Sequence, residues 1–138
     1  MMLTEDENLY QIYIRLREFL LKDRAFIRPG LNRTSLAVSV RTNEKYLEKA
    51  IRLYSSEKSL SNLIDSLRMK YACFLLNKYP GYTVEAVAAD CGITSRSSFY
   101  RIFRKHYGCT PCEYRERFSV FPESGTSCSL NWDKQDDN

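Results

Sequence analysis

Apolar residues recur every three or four positions along most of the chain, which is the spacing of one face of an α-helix. Leu9 and Ile12 begin one such stripe, so residues 6–23 are predicted to form an amphipathic helix. A second stripe predicts a long helix from about residue 59 to 77, with Ser59 as its N-cap. Because no segment alternates apolar and polar residues over a strand's length, we predict an all-α fold of about seven helices.

Two stretches, residues 26–57 and 79–117, share one plan of short helix, tight turn and second helix. Ala37 and Ala88 occupy the same place in the two copies, and a small residue there lets two helices cross closely. The sequence therefore predicts an internal duplication of a helix-turn-helix unit, with the long helix between the copies as a linker.

The predicted turns and helix starts carry suitable residues. Gly92 can take the positive φ that the second turn needs, whereas the first turn has Arg41, at a cost of about 1 kcal/mol relative to glycine. The predicted N-caps of the four short helices are Asn32, Asn43, Thr83 and Ser95.

The rest of the chain falls outside the two units. Residues 1–25 are predicted to be an N-terminal segment that contains the amphipathic helix, and residues 58–78 a segment that contains the linker helix. The tail, residues 118–138, is rich in Ser, Asp and Asn and is predicted to be disordered.

Positive charge is concentrated in the second unit. The chain has 21 Lys and Arg against 17 Asp and Glu, a net charge of +4 that a solvated surface alone would explain. Residues 92–117, however, hold six basic and two acidic side chains, while the first 23 residues and the tail are each net acidic. This distribution favours a surface that binds a polyanion.

The helix predicted from Ser95 to about Tyr107 has two distinct faces. At about 100° per residue, one arc can anchor the helix through Phe99, Ile102, Phe103 and His106. The opposite arc carries Arg96, Ser97, Tyr100, Arg101 and Arg104. A major groove admits one helix, and arginine can bond guanine O6 and N7 together. We therefore expect Arg96, Ser97 and Arg101 to meet base edges, and Arg104 and Lys105 to meet phosphates. Tyr100, among these arginines, is expected either to stack on a sugar or to shield the helix.

The second helix of the first unit is less basic. Its outward face carries Glu44, Lys45, Glu48, Lys49 and Arg52. Two acids there would meet the phosphate potential unfavourably, although glutamate can accept a hydrogen bond from cytosine N4. We expect the second unit to supply more of the electrostatic affinity.

Residues 83–115 resemble the C-terminal signature of the AraC family of bacterial transcription regulators. The resemblance rests on Thr83-Val84-Glu85-Ala86-Val87-Ala88, on Ser95-Arg96-Ser97-Ser98-Phe99-Tyr100-Arg101-Ile102-Phe103, and on the closing Gly108-Cys109-Thr110-Pro111-Cys112-Glu113-Tyr114-Arg115. The first unit matches more loosely, with Ile51 and Arg41 in place of the usual phenylalanine and glycine.

This resemblance implies a homeodomain-like fold whose two recognition helices enter successive major grooves of promoter DNA. By position it makes Lys45, Glu48 and Lys49 readers in the first unit, and Ser97 and Arg101 in the second. Family members commonly carry a sensor domain, and nothing in these 138 residues can serve as one. The protein is therefore expected to be either a stand-alone DNA binder or the output end of a larger regulator. The duplicated unit and the basic outer face favour a promoter-binding regulator that recruits or positions RNA polymerase, which is therefore the expected partner. No cofactor is expected.

Catalytic and metal sites find little support. Cys109-Thr110-Pro111-Cys112 is a Cys-x-x-Cys motif, but it lacks the βαβ context of a redox site and the further ligands of a zinc site. His106, the single histidine, is expected at the edge of the core. We therefore predict no catalytic residue, no metal and no enzyme activity.

The main hypothesis is a DNA-binding transcription regulator. The alternative is a protein-interaction module that keeps the fold but has lost DNA reading, which the mixed charge of the first unit would suit. Five scattered cysteines and the lack of a signal peptide or an apolar membrane span predict a reduced, cytoplasmic setting.

Overall fold

All regular structure in residues 4–118, the part of the chain that the computed structural model describes, is helical. The all-α prediction is therefore confirmed, and the predicted disordered tail lies outside these residues except for its first position. The elements in order are α1 (Glu5–Leu21), a short 3-10 turn (Ala25–Ile27), α2 (Arg33–Ser39), α3 (Glu44–Tyr54), α4 (Leu60–Lys78), α5 (Val84–Asp90), α6 (Arg96–Tyr107) and α7 (Pro111–Phe118).

The four short helices of the two copies and the linker helix begin at the N-caps that the sequence predicts. In each case the side-chain oxygen of the N-cap residue accepts a hydrogen bond from a backbone N–H three residues later, which satisfies one of the free donors at the helix start. The confirmed caps are Asn32, Asn43, Ser59, Thr83 and Ser95.

The chain divides into two compact units, with the boundary between Leu67 and Arg68, inside α4. Each of these units contains one helix-turn-helix copy together with its neighbouring helices. In the first unit, α1 packs on α3 and α2 packs on α3. Leu16 and Leu20 of α1 and Leu47 of α3 are fully buried, so the apolar stripe of α1 forms one wall of this core.

The core of the second unit is built around α6. Phe99 and Phe103 are both fully buried, and their ring centroids lie 5.8 Å apart. They pack with Met69 and Leu76 of α4 and with Val87 of α5. Burying two phenylalanines and their aliphatic neighbours provides the main driving force for folding this unit.

The turns of the two units are held by the same hydrogen bonds. In the first, the Thr42 N–H donates to the Ala37 carbonyl at 2.9 Å; in the second, the Ile93 N–H donates to the Ala88 carbonyl at 3.0 Å. Both alanines are buried. The predicted duplication is therefore visible in the backbone as well as in the apolar pattern.

Arg41 and Gly92 both adopt left-handed backbone conformations, with φ of 60° and 86°. An exposed arginine thus stands where the turn of the second unit has glycine. A side chain at positive φ clashes with its own backbone, so this position is strained in the first unit.

We expect Arg41→Gly to raise the free energy of unfolding by up to about 1 kcal/mol, because glycine removes the strain but also gains freedom in the unfolded chain. Urea unfolding followed by circular dichroism would measure it. Arg41→Ala, which keeps a Cβ at positive φ, is the control and should give no such gain. Equal stabilisation by both substitutions would show that the positive φ does not strain Arg41.

Arg115 closes the second unit from α7. Pro80 has no N–H, so the Leu76 carbonyl lacks the donor that the next helical turn would supply. The buried Arg115 guanidinium donates to that carbonyl through Nε at 3.2 Å, and to the Tyr79 carbonyl through Nη2 at 3.4 Å. Burial lowers the pKa of Arg115, yet the carbonyls at the negative end of α4 favour its charge.

Replacing Arg115 with Met should lower the free energy of unfolding by about 1–3 kcal/mol, because a buried carbonyl then loses a charged donor. The matched control is Arg117→Met on the same helix, where the side chain is exposed and a change within about 0.5 kcal/mol is expected. The denaturant midpoints of the two variants would measure this difference. Equal effects would show that the hydrogen bonds from Arg115 to the end of α4 do not stabilise the fold.

Candidate nucleic-acid interface

Helix α6 presents a basic face because its apolar face is fixed in the core. With Phe99 and Phe103 fully buried, the residues on the other side of the helix must face solvent. Arg101, Arg104 and Lys105 are exposed and take part in none of the ion pairs found in residues 4–118. The arrangement leaves three cationic side chains available to an external anion.

Two other predicted residues of α6, Ser97 and Tyr100, differ in their exposure to solvent. Ser97 is exposed, and its hydroxyl lies 3.1 Å from that of Ser95. Tyr100 packs against the core of the second unit, with its hydroxyl oxygen shielded from solvent. This placement suits the shielding role that the sequence allows for Tyr100, and its contact with DNA stays a prediction. His106 is exposed, so its expected position at the edge of the core is wrong.

Arg96 makes a contact that sequence reasoning missed. Its guanidinium forms an ion pair with the Glu85 carboxylate, through Nη2 and Oε2. The two residues are eleven positions apart, and only the packing of α5 on α6 brings them together. They also line one open cleft of about 540 Å³, with Ser95 and Ser97 nearby.

In the first unit, Lys45 and Arg52 of α3 are exposed, but Lys49 is not free. The Lys49 ammonium lies 3.1 Å from the carboxylate of Glu5, at the start of α1. Both side chains are substantially exposed, so this pair contributes at most about 1 kcal/mol and an external anion can compete with it.

The two acids of α3 both have partners on α2. Arg33 Nε lies 3.0 Å from the Glu48 carboxylate, and the Thr34 hydroxyl donates to Glu44 at 2.9 Å. An ion pair and a hydrogen bond moderate the negative potential of these carboxylates. The acids therefore oppose a polyanion less strongly than the sequence suggests.

The Cys-x-x-Cys motif belongs to the core. Cys109 and Cys112 are buried among the residues packed around Phe103. Cys91 is also buried, and burial raises the pKa of its thiol to about 12, so it is protonated at neutral pH. Over residues 4–118, no three His, Cys, Asp or Glu side chains come together in a way that could hold a metal ion.

A family model described as a helix-turn-helix domain matches residues 36–117, more than half of the 138-residue chain. The match includes most of the first helix-turn-helix copy, residues 26–57, and all of the second, residues 79–117. Among the helices of residues 4–118, none combines the length and the apolar character that crossing a bilayer requires.

Curated relatives share the same part of the chain. The HTH-type transcriptional regulator GadX of Escherichia coli strain K12 is 41% identical over 66 residues, which are 48% of this chain and 24% of the relative. The DNA-binding dual transcriptional regulator Rns of Escherichia coli is 38% identical over 63 residues, which are 46% and 23%. The chain thus spans about a quarter of the length of these relatives.

Two solved structures have the same architecture. The C-terminal domain of AraT, a response regulator from Geobacillus stearothermophilus, aligns with a TM-score of 0.73 over 80% of this chain and 88% of that one, at 24% identity. A DNA-binding transcriptional dual regulator from Escherichia coli K-12 aligns with a TM-score of 0.64 over 77% and 90%, at 29% identity.

Proposed function

Since the chain belongs to the AraC-type family of DNA-binding helix-turn-helix proteins, we propose that it is the DNA-reading part of a promoter-binding transcription regulator. The observation that carries the proposal is helix α6, whose buried phenylalanines hold it in place while its exposed face is basic. A helix held in this way can be inserted into a major groove as a rigid body.

The roles proposed along α6 follow the order of its residues. Arg96, Ser97 and Arg101 lie in the first turns, where a recognition helix approaches base edges. Arginine can donate two parallel hydrogen bonds to guanine, so Arg96 and Arg101 are the proposed base readers. Arg104 and Lys105 lie further along and are proposed to contact phosphates, which position a protein on DNA without reading sequence.

Helix α3 is proposed to be the second reader. Lys45 and Arg52 are exposed, and Lys49 can exchange the Glu5 carboxylate for a phosphate. Glu48, which the family resemblance makes a base reader, is held by Arg33 and is proposed to accept from a cytosine amino group. Support for a second reading helix comes from the duplicated turn and the duplicated caps.

The remaining proposals concern the whole regulator. Binding to a promoter would place it beside RNA polymerase, which we propose as its protein partner. Because the chain covers only about a quarter of its relatives, we propose that a sensor function lies in a segment or partner outside these residues. A cytoplasmic location follows from the proposed DNA target.

Selection of bound sequences from a random DNA pool tests the proposal directly. If α3 and α6 both read DNA, the selected site should contain two clusters of preferred bases with centres about 10 base pairs apart. Affinity for that site should fall with salt, with a slope of log K against log [salt] of about −0.9 for each phosphate contacted.

A single cluster would implicate one helix only. If no sequence is enriched and no salt-dependent binding is found, the DNA-reading function fails. The protein-interaction module would then be favoured, which the ion pairs of α3 would suit.

Arg101→Ala should weaken binding to the selected site by about 1–3 kcal/mol and relax the preference at one base position. Fluorescence anisotropy against the site and its single-base variants would measure both effects. Arg117→Ala, also an exposed arginine of the second unit, is the control and should keep the base preference. A uniform loss on all sequences would make Arg101 a phosphate contact.

A further inference from the structure

One side-chain bond recurs at the same place in both helix-turn-helix units. In the first unit the Thr34 hydroxyl bonds to the Glu44 carboxylate at 2.9 Å, and in the second the Arg96 guanidinium bonds to the Glu85 carboxylate. Each bond joins the second residue of the first helix to the first residue of the recognition helix. We call it the cross-turn bond.

The cross-turn bond recurs although the residue types that form it differ between the two units. A hydroxyl holds a carboxylate in one unit, and a carboxylate holds a guanidinium in the other, so the two copies keep the contact while exchanging its chemistry. The held residue is in both cases the first of the recognition helix. What the copies have in common is therefore the fixing of that side chain.

Folding stability does not account for the bond in the second unit. The side chains of Arg96 and Glu85 are 37% and 52% exposed, and an ion pair this open contributes little. A cation in the first turn also opposes the positive end of the helix macrodipole. Arg96 thus stands where helix stability alone would favour an acid, as Glu44 does in α3.

Holding Arg96 matters for reading DNA. A free arginine side chain loses rotamer entropy when a base orders it, and that loss weakens binding. The guanidinium is a planar fork, so a partner bound at Nη2 restricts the directions in which the group can point. A fork already held in one direction discriminates better between bases.

We propose that Glu85 is a positioning residue, which holds Arg96 so that its guanidinium meets one guanine at the start of α6. This inference rests on the proposed DNA-reading function. It assigns a role in specificity to a residue of α5, the helix that is not inserted into the groove.

The experiment is Glu85→Gln, which keeps the length of the side chain and removes its charge. Positioning predicts that discrimination at one G·C pair of the selected site falls by about two- to fivefold, since an ion pair this exposed adds no more than that to a bidentate contact. Affinity for variants of the site that lack this pair should stay the same or rise. A charge effect alone would raise affinity for all sequences and leave discrimination intact.

Three further variants complete the test: Glu116→Gln, Arg96→Ala, and Arg96→Ala combined with Glu85→Gln. Glu116→Gln removes the same charge from α7 and should leave base preference unchanged. In an Arg96→Ala background, Glu85→Gln should cause no further loss at that pair, since Glu85 acts through Arg96. Equal circular dichroism spectra and unfolding midpoints would show that the variants are folded.

The outcomes distinguish the positioning role of Glu85 from the proposed DNA-reading function. If wild type binds and reads DNA but Glu85→Gln keeps full discrimination, the positioning role is overturned while the proposed function stands. Further loss in the Arg96→Ala background would overturn it in the same way. If wild type shows no sequence preference at all, the proposed function fails first and this inference fails with it.

Discussion

The burial of Phe99 and Phe103 is the constraint on which the candidate interface depends. Two aromatic side chains four residues apart lie on one face of a helix, and both are fully excluded from solvent. Once they are buried, rotation of α6 about its own axis is fixed. The exposure of Arg101, Arg104 and Lys105 then follows from helical geometry. Core packing and surface chemistry are two results of the same spacing.

The same constraint explains how far sequence reasoning could go. Helix caps, turns and stripes depend on residues within four or five positions of one another, and these predictions were confirmed at Asn32, Ser59 and Ser95. The left-handed conformation of Arg41 was also foreseen, since the duplication aligned it with Gly92. Local patterns and an internal repeat were sufficient for the fold.

The candidate site was harder to predict where it depends on packing between helices. The pairs Glu85–Arg96 and Glu5–Lys49 join residues 11 and 44 positions apart, and no local pattern marks them. Tyr100 lies at the border between the two faces of α6, where a difference of a few tens of degrees decides between core and solvent. The apolar period predicts the exposure of residues at the middle of a helix face well, and of residues at its edges poorly.

The cross-turn bonds hold residues of opposite charge at corresponding positions, Glu44 in one copy and Arg96 in the other. Helix α3 therefore begins with a hydrogen-bond acceptor and α6 with a donor. If both helices read DNA as proposed, the two units are not interchangeable towards a duplex. A DNA segment recognised by both would have a direction. A single bound molecule would then point one way along a promoter, and its orientation would be encoded in the order of the bases.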